Sequence, residues 1–499
     1  MSMLFAKKPL STLLAEASDS EKGLKRTLGA WALVALGIGA IIGAGLFVRT
    51  AAAAGAHAGS AVTVSFIIAA IGCALAGLCY AEFASMIPIS GSAYTYSYAT
   101  MGEFVAWIIG WDLVLEYALG AATVAIGWSQ YLNKLLFITF GSAIPYEWSH
   151  SPFQVSEAGV TGIVNIPAMF ILLLISLLLV RGTQQSAVVN TIIVIVKVCI
   201  VILFIILGWQ FINPANHTPY MIPETAGVVN LSDGSSVDYS HFWNNGFAGV
   251  MTGAGIVFFA FIGFDAVSTA AQETKNPSKT MPFGILISLA VCTVLYILFS
   301  HVLTGVAPYQ DFLKSGSEAS VAYAIDTYMP GYSWLSTLIT VAILAGFSSV
   351  ILVMLLGQTR VFYSMSKDGL VPKIFSDLHP KFRTPYKSQM LFFVFVSLFA
   401  GFIPDHVVGN MTSIGTLFAF VLVCIGVIVM RKSNPEAVRA FKTPWVPFVP
   451  ILGALVCLAM IVSLGRENWE RLGVWLLIGM VVYFGYSVKN SKVRKSRQQ

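Results

Sequence analysis

Asp112, Glu116, Lys197 and Asp265 stand inside long apolar stretches of this 499-residue chain, where an ionisable side chain is costly and defaults to a functional role. Lys197 lies between Ile193-Val194-Ile195-Val196 and Val198-Cys199-Ile200, too central for its stem to carry the ammonium to an interface. It must be paired, be held by carbonyls, or lose its charge. A tether between helices, a stand-in for a bound cation and a proton carrier all satisfy that requirement. Asp112 and Glu116 are one helical turn apart and can share a face. Glu116 is expected to serve a polar role facing the bundle, while Asp112 serves equally as a packing partner. Asp265 either shuttles protons or bonds to nearby backbone.

A second chemistry is written in glycine. Leu36-Gly37-Ile38-Gly39-Ala40-Ile41-Ile42-Gly43-Ala44-Gly45-Leu46-Phe47 carries four glycines inside an apolar stretch, each costing a helix about 1 kcal/mol relative to alanine. Gly249, Gly253, Gly255 and Gly263 surround Phe258-Phe259-Ala260-Phe261 in the same way. Broken backbone at membrane depth survives only where protein buries it or where it lines a cavity. A broken helix offers N–H groups at one half-helix end and carbonyls at the other, a pair that suits a zwitterion. Amides near Gly43, Ala44 and Gly45 would hold a carboxylate, and carbonyls of Ile41 and of the second break an ammonium. Close helix packing through small residues is the competing explanation.

The elements that position these groups follow from composition. The chain is 57% hydrophobic and 10% charged, with mean hydropathy +0.79, against about 25% charged in soluble domains. Apolar runs fall at about 31–53, 60–87, 104–133, 161–181, 186–208 and 246–270, then 283–306, 335–366, 388–404, 407–431, 447–465 and 472–488, each near the length that crosses about 30 Å of hydrocarbon. Numbered in that order, runs 1 and 6 hold the glycine-rich breaks. Two interrupted segments at corresponding places point to inverted repeats around a midplane site. The fold expected is therefore an all-α membrane protein of twelve transmembrane helices, two inverted five-helix repeats with broken helices 1 and 6, plus two peripheral helices.

Its parts are a segment 1–30, a first repeat 31–208, an external loop 209–245, a second repeat 246–431, peripheral helices 432–488 and a basic tail 489–499. With twelve crossings, 22 of the 29 Lys and Arg residues fall on the side of the N-terminus, and cytoplasmic loops hold that excess. Both termini are expected in the cytoplasm of a multi-pass cell-membrane protein. The net charge of +6 then describes topology and contact with anionic lipid rather than nucleic-acid binding. The six cysteines all lie in apolar runs, and His57, His150, His217, His241, His301, His379 and His406 are dispersed. Neither a disulfide framework, a metal site nor a cofactor is expected.

At these residues the chain resembles the amino acid/polyamine/organocation superfamily, and within it the cationic amino acid transporter family with its bacterial members. GIGAIIGAGLF in run 1, PISGSAYTYSYATMGE from Pro88, FFAFIGFDAVSTAAQETKNPSKTMP from Phe258 and GQTRVFYSMSKDGLVPKIFSDLHPKFRTPY from Gly357 carry the likeness. It implies two inverted five-helix repeats and alternating access. It implies carboxylate binding by amides of Gly43, Ala44 and Gly45, and ammonium binding by carbonyls of Ile41, Phe259 and Ile262, with Ala260 in the same stretch and Phe259 as an aromatic gate. Lys197 occupies the run-5 position where sodium-independent members carry a lysine, with Ser348 and Ser349 as its expected neighbours on run 8. Proton coupling through Lys197, Glu116 or Asp265, or exchange, is then preferred to sodium coupling. Phe347 is expected to narrow the side-chain pocket, favouring small neutral amino acids over arginine and lysine. Arg49 departs from the apolar pattern expected after the break. An amino acid sensor, a channel and a membrane enzyme are the rival readings; a filter or charged ring is missing for a channel, and clustered His or acidic residues for an enzyme.

Overall fold

In the computed structural model the chain is described over residues 4–18, 27–43, 45–89, 91–156, 159–231, 236–314 and 320–498. Among the described residues, eight helical stretches are long and apolar enough to cross a membrane: Ala30–Met86, which holds runs 1 and 2, Glu103–Phe140, Val188–Phe211, Gly246–Glu273, Pro277–Val306, Ser333–Lys367, Asp405–Ser433 and Arg466–Ser496. Shorter apolar helices occupy Ile166–Arg181, Tyr386–Phe402 and Phe448–Ser463. A two-stranded antiparallel hairpin, Val228–Asn230 with Ser236–Asp238, lies in the loop between runs 5 and 6. Apart from that hairpin, the described residues form a helical membrane protein.

Several boundaries differ from the sequence expectation for identifiable reasons. Run 3 continues to Phe140, where Gly141 at φ 72° caps the helix, a conformation that glycine adopts at no steric cost. Run 4 begins at Ile166, because Asn165 accepts the Ala168 amide and Pro167 fits the first turn. Run 12 begins at Arg466, six residues early, since Arg466 to Glu470 (2.7 Å) and Arg471 to Glu467 (3.3 Å) pair at helical spacing.

Burial sorts the helices into layers. In run 8, Ser349–Ser366 is buried without interruption, so this helix sits centrally. In run 5, Val194, Lys197, Val201 and Phe204 are buried while Ile192, Ile195, Ile202 and Ile206 are exposed, a one-faced pattern at the helical period. That period aims Lys197 inward. Run 3 is interrupted by a π-helical turn, Leu115–Leu119, between Glu103–Val114 and Gly120–Phe140; such turns concentrate at functional sites.

Both termini meet at one end of the bundle. Lys8 Nζ donates to Asp368 Oδ1 at 2.6 Å, and Tyr94 donates to Asp368 Oδ2 at 2.7 Å. Glu103, fully buried, accepts from Arg494 Nε at 2.7 Å, Tyr98 at 2.8 Å, Tyr483 at 3.0 Å and Ser491. At the opposite end the 209–245 loop is stapled over run 1: Tyr239 donates to Gly55 O at 2.6 Å, and Ser60 donates to Asn216 O at 2.7 Å.

Candidate substrate site at the paired helix breaks

Run 1 is helical over Ala30–Ile41, turns extended at Ile42 (ψ 104°) and resumes at Gly45 as a π-helical turn. Run 6 is helical over Gly246–Val257, tightens to 3₁₀ at Phe258–Phe261, turns extended at Ile262 (ψ 133°) and resumes at Ala266. The two breaks touch. A Cβ on Gly45 would lie 2.5 Å from the Ala260 nitrogen, and one on Gly263 would lie 2.7 Å from the Ala40 Cβ. Gly263 also has φ 118°, so glycine is required there on both counts.

Between the breaks lies an enclosed cavity lined by Ala40, Ile41, Gly43, Gly45, Gly120, Val124, Phe259, Ile262, Val350 and Met354, with about 10 Å³ open to the centre of a water molecule. That is room for about one water. Of the residues expected from sequence, Ile41, Gly43, Gly45, Phe259 and Ile262 line this cavity, and Ala260 packs behind Gly45. Ala44 lies outside the described residues.

Run 7 contributes a residue the sequence reading passed over. The Tyr296 hydroxyl reaches Ile41 O at 2.7 Å and Ala260 O at 2.9 Å, bridging the two breaks through carbonyls of the kind a ligand ammonium would use. Phe259 O accepts the Ile262 amide at 3.3 Å. Lys197 Nζ donates to Gly39 O and Ile42 O, each at 2.8 Å, and so satisfies carbonyls that the run-1 break releases. Ser349 donates to the same Gly39 O at 3.2 Å and to Asn190 Oδ1 at 2.5 Å, while Asn190 Nδ2 donates to Ala35 O at 3.2 Å. Asn190 was also missed, although its place seven residues before Lys197 puts it on the same helix face. Ser348 is not part of this cluster: its hydroxyl turns back to Leu344 O in its own helix at 2.9 Å.

Phe347 is placed differently from the expectation. It is fully buried against Phe47 and Tyr131, with ring centroids 6.3 and 5.7 Å away. The cavity is instead walled from run 8 by Val350 and Met354. Arg49 stands beside Phe259, which lines the cavity, its guanidinium 5.4 Å from the ring centroid, and Nη2 donates to Asp405 O at 3.3 Å. Gly409 makes room for it, since a Cβ there would overlap the guanidinium.

Below the cavity, Glu116 in the π-helical turn lies against Asp265, both fully buried. Tyr117 donates to Asp265 Oδ2 at 2.5 Å, and the Thr416 hydroxyl lies beside Glu116. Asp112 is also buried, beside Gly415 of run 10, and no donor among the described residues reaches it.

The "Amino acid permease" family model matches residues 28–483. The chain belongs to this family. It is a membrane transporter of amino acids and not an enzyme. This permease is 44% identical over 492 residues to the "Branched-chain amino acid permease BcaP" of Bacillus subtilis (strain 168), covering 99% of each chain. It is 43% identical over 495 residues to the "Methylthioribose transporter" of the same organism, covering 99% of this chain and 100% of that one. The "Cationic amino acid transporter 4, vacuolar" of Arabidopsis thaliana is 32% identical over 441 residues, 88% of this permease and 68% of the relative. The likeness to cationic amino acid transporters therefore extends along most of the chain.

Proposed function

We propose that this permease is a secondary active, proton-coupled and sodium-independent carrier of small and branched neutral L-amino acids, working by alternating access. In this reading the chain crosses the cell membrane twelve times as two inverted five-helix repeats plus two peripheral helices, with both termini cytoplasmic. The carrying observation is the cavity between two touching helix breaks, with a buried carboxyl pair one turn away along run 3. Amides at the start of the Gly45 turn meet the ligand carboxylate at a positive helix end. Carbonyls of Ile41 and Ala260, which Tyr296 engages, meet the ammonium. The rest of the lining is aliphatic, aromatic or glycine, which suits an apolar side chain and leaves a cationic one unpaired. The branched-chain relative agrees with that preference, while the vacuolar relative's name leaves cationic substrates as a second class.

A proton shared between Glu116 and Asp265 would bridge the two buried carboxyls, and two adjacent carboxyls titrate as a unit. Lys197 takes the place of a cation at run 1, with carbonyls of Gly39 and Ile42 as its ligands and Ser349 sharing one of them. Exchange of one amino acid for another remains the alternative to symport. Uptake and counterflow in proteoliposomes separate them, with a panel of the twenty amino acids, an imposed pH gradient, and sodium present or absent. Gradient-driven accumulation that sodium does not change, lost in Glu116→Gln while counterflow persists, is the expected result. Accumulation by Glu116→Gln equal to that of the parent would overturn the coupling assignment, and absence of counterflow in the parent would overturn the carrier reading.

A further inference from the structure

Resting on the reading of this cavity as the amino acid site, we propose that Gly120 is the specificity-determining residue of the side-chain subsite: by carrying no side chain it keeps open the space beside Val124, Val350 and Met354 that a branched aliphatic substrate occupies.

The cavity-lining glycines Gly43, Gly45 and Gly120 are glycine for different reasons. A Cβ on Gly43 would lie 2.6 Å from Val350 Cγ2, and one on Gly45 would lie 2.5 Å from the Ala260 nitrogen. Those positions are glycine because neighbouring helices approach closely. Gly120 is different. Its Cβ would meet Thr412 Cγ2 at 3.5 Å and Met354 Sδ at 3.8 Å, which is ordinary contact, and its backbone is right-handed helical at φ −56°, ψ −46°. Neither packing nor conformation calls for glycine there, and alanine is the better helix former by about 1 kcal/mol. Gly120 lines the cavity, and its Cβ would come next to Met354, another lining residue.

The surroundings of Gly120 say what that space accepts. Val124 lies one turn further along the same helix face, and Val350, Met354 and Ile262 complete an apolar wall. Met354 is unbranched and flexible, so it can withdraw to enlarge a cavity that has room for about one water. Glu116 stands one turn to the other side of Gly120, in the π-helical turn, so a side chain seated against Gly120 rests directly beside the carboxyl pair. Substrate size and the environment of that pair are thus read by one stretch of run 3.

The test compares the parent permease with Gly120→Ala, Gly120→Val and the double variant Gly120→Ala/Met354→Ala in proteoliposomes, reading inhibition of counterflow by alanine, valine, leucine and isoleucine. Loss of room for one or more methylenes lowers affinity by on the order of 10-fold or more. The expected result is that the leucine-to-alanine affinity ratio falls by about that factor in Gly120→Ala and further in Gly120→Val, and is recovered in the double variant. Gly120→Ala decides the matter, because its Cβ fits at van der Waals distance and folding is retained. A leucine-to-alanine ratio in Gly120→Ala equal to that of the parent overturns the subsite assignment while leaving the carrier reading intact. A parent protein that exchanges none of the four amino acids overturns the carrier reading and this proposal with it.

Discussion

Lys197→Met keeps the length of the side chain and removes the ammonium that fastens run 1 at its break. The ammonium donates at 2.8 Å to both Gly39 O and Ile42 O. Hydrogen bonds from charged donors contribute about 1.5–3 kcal/mol each, so the gross loss is about 3–6 kcal/mol. Methionine is spared the cost of desolvating a charge, and Gly39 O keeps Ser349 at 3.2 Å, which leaves Ile42 O as the carbonyl that loses its donor. A net weakening of about 3 kcal/mol is on the order of 100-fold in the equilibrium that holds run 1 closed. Hydrogen exchange over residues 36–47 reports that equilibrium as local opening, and counterflow in proteoliposomes reports its functional cost. We expect exchange in this segment to rise by about 100-fold and counterflow to fall by more than about 10-fold, without rescue by sodium. Exchange and counterflow both within about threefold of the parent would show that the two bonds hold nothing that transport uses.

Gly409→Ala displaces the Arg49 guanidinium from the Phe259 ring, removing a cation–π contact that contributes about 0.5–2 kcal/mol. A Val124→Cys reporter in the cavity should then react faster with an impermeant thiol reagent added from the side of the 209–245 loop, and unchanged labelling would refute a covering role for Arg49. Phe347→Gly should cost about 3–5 kcal/mol of stability by emptying a packed site without admitting lysine or arginine; uptake of either by that variant would return Phe347 to the subsite. Gly45→Val drives a side chain into Ala260, so alanine binding should be lost from protein that still elutes as a folded species, and retained affinity would remove Gly45 from the carboxylate site. Burial and the neighbouring His301 hold His217 below its ordinary value of 6.5. The folded protein therefore binds this proton less readily than the unfolded chain does, so the contribution of neutral His217 is complete above about pH 6.5 and is lost as pH falls through the folded value. The melting temperature should drop on acidification below about pH 6.5, and a His217→Gln variant with the same acid response would exclude this histidine as the cause.

The two broken helices were legible because glycine in an apolar helix carries a penalty that only a break or a close approach justifies, and both occur at Gly45 and Gly263. Lys197 was legible for a similar reason, as a charge with no route to an interface. Tyr296 was not. A tyrosine in an apolar run fits many settings, and its bridge between Ile41 and Ala260 depends on how run 7 is rotated against two other segments. Phe347 shows the same limit in another dimension. It shares a face of run 8 with Val350 and Met354, three and seven residues on, but one turn of about 5.4 Å carries it out of the cavity and against Phe47. Sequence periodicity gives the face of a helix and leaves the depth open. Gly120 is the converse case, a single glycine in a stretch where small residues are common, recognisable only once its neighbours are known to tolerate a methyl group.

The enclosure of Glu103 bears on how the protein is made. This carboxylate is laid down in the first quarter of the chain, yet its guanidinium partner Arg494 follows 391 residues later, which at about 5–20 residues per second is about 20–80 s of synthesis. Throughout that interval the nascent polypeptide carries an acidic group whose final burial has no counter-charge. Tyr98, five residues before it in the chain, is the partner available from the outset. Closure over Glu103 at this end of the bundle therefore waits for the segment that carries Arg494, so the carboxylate reaches its final setting late in synthesis.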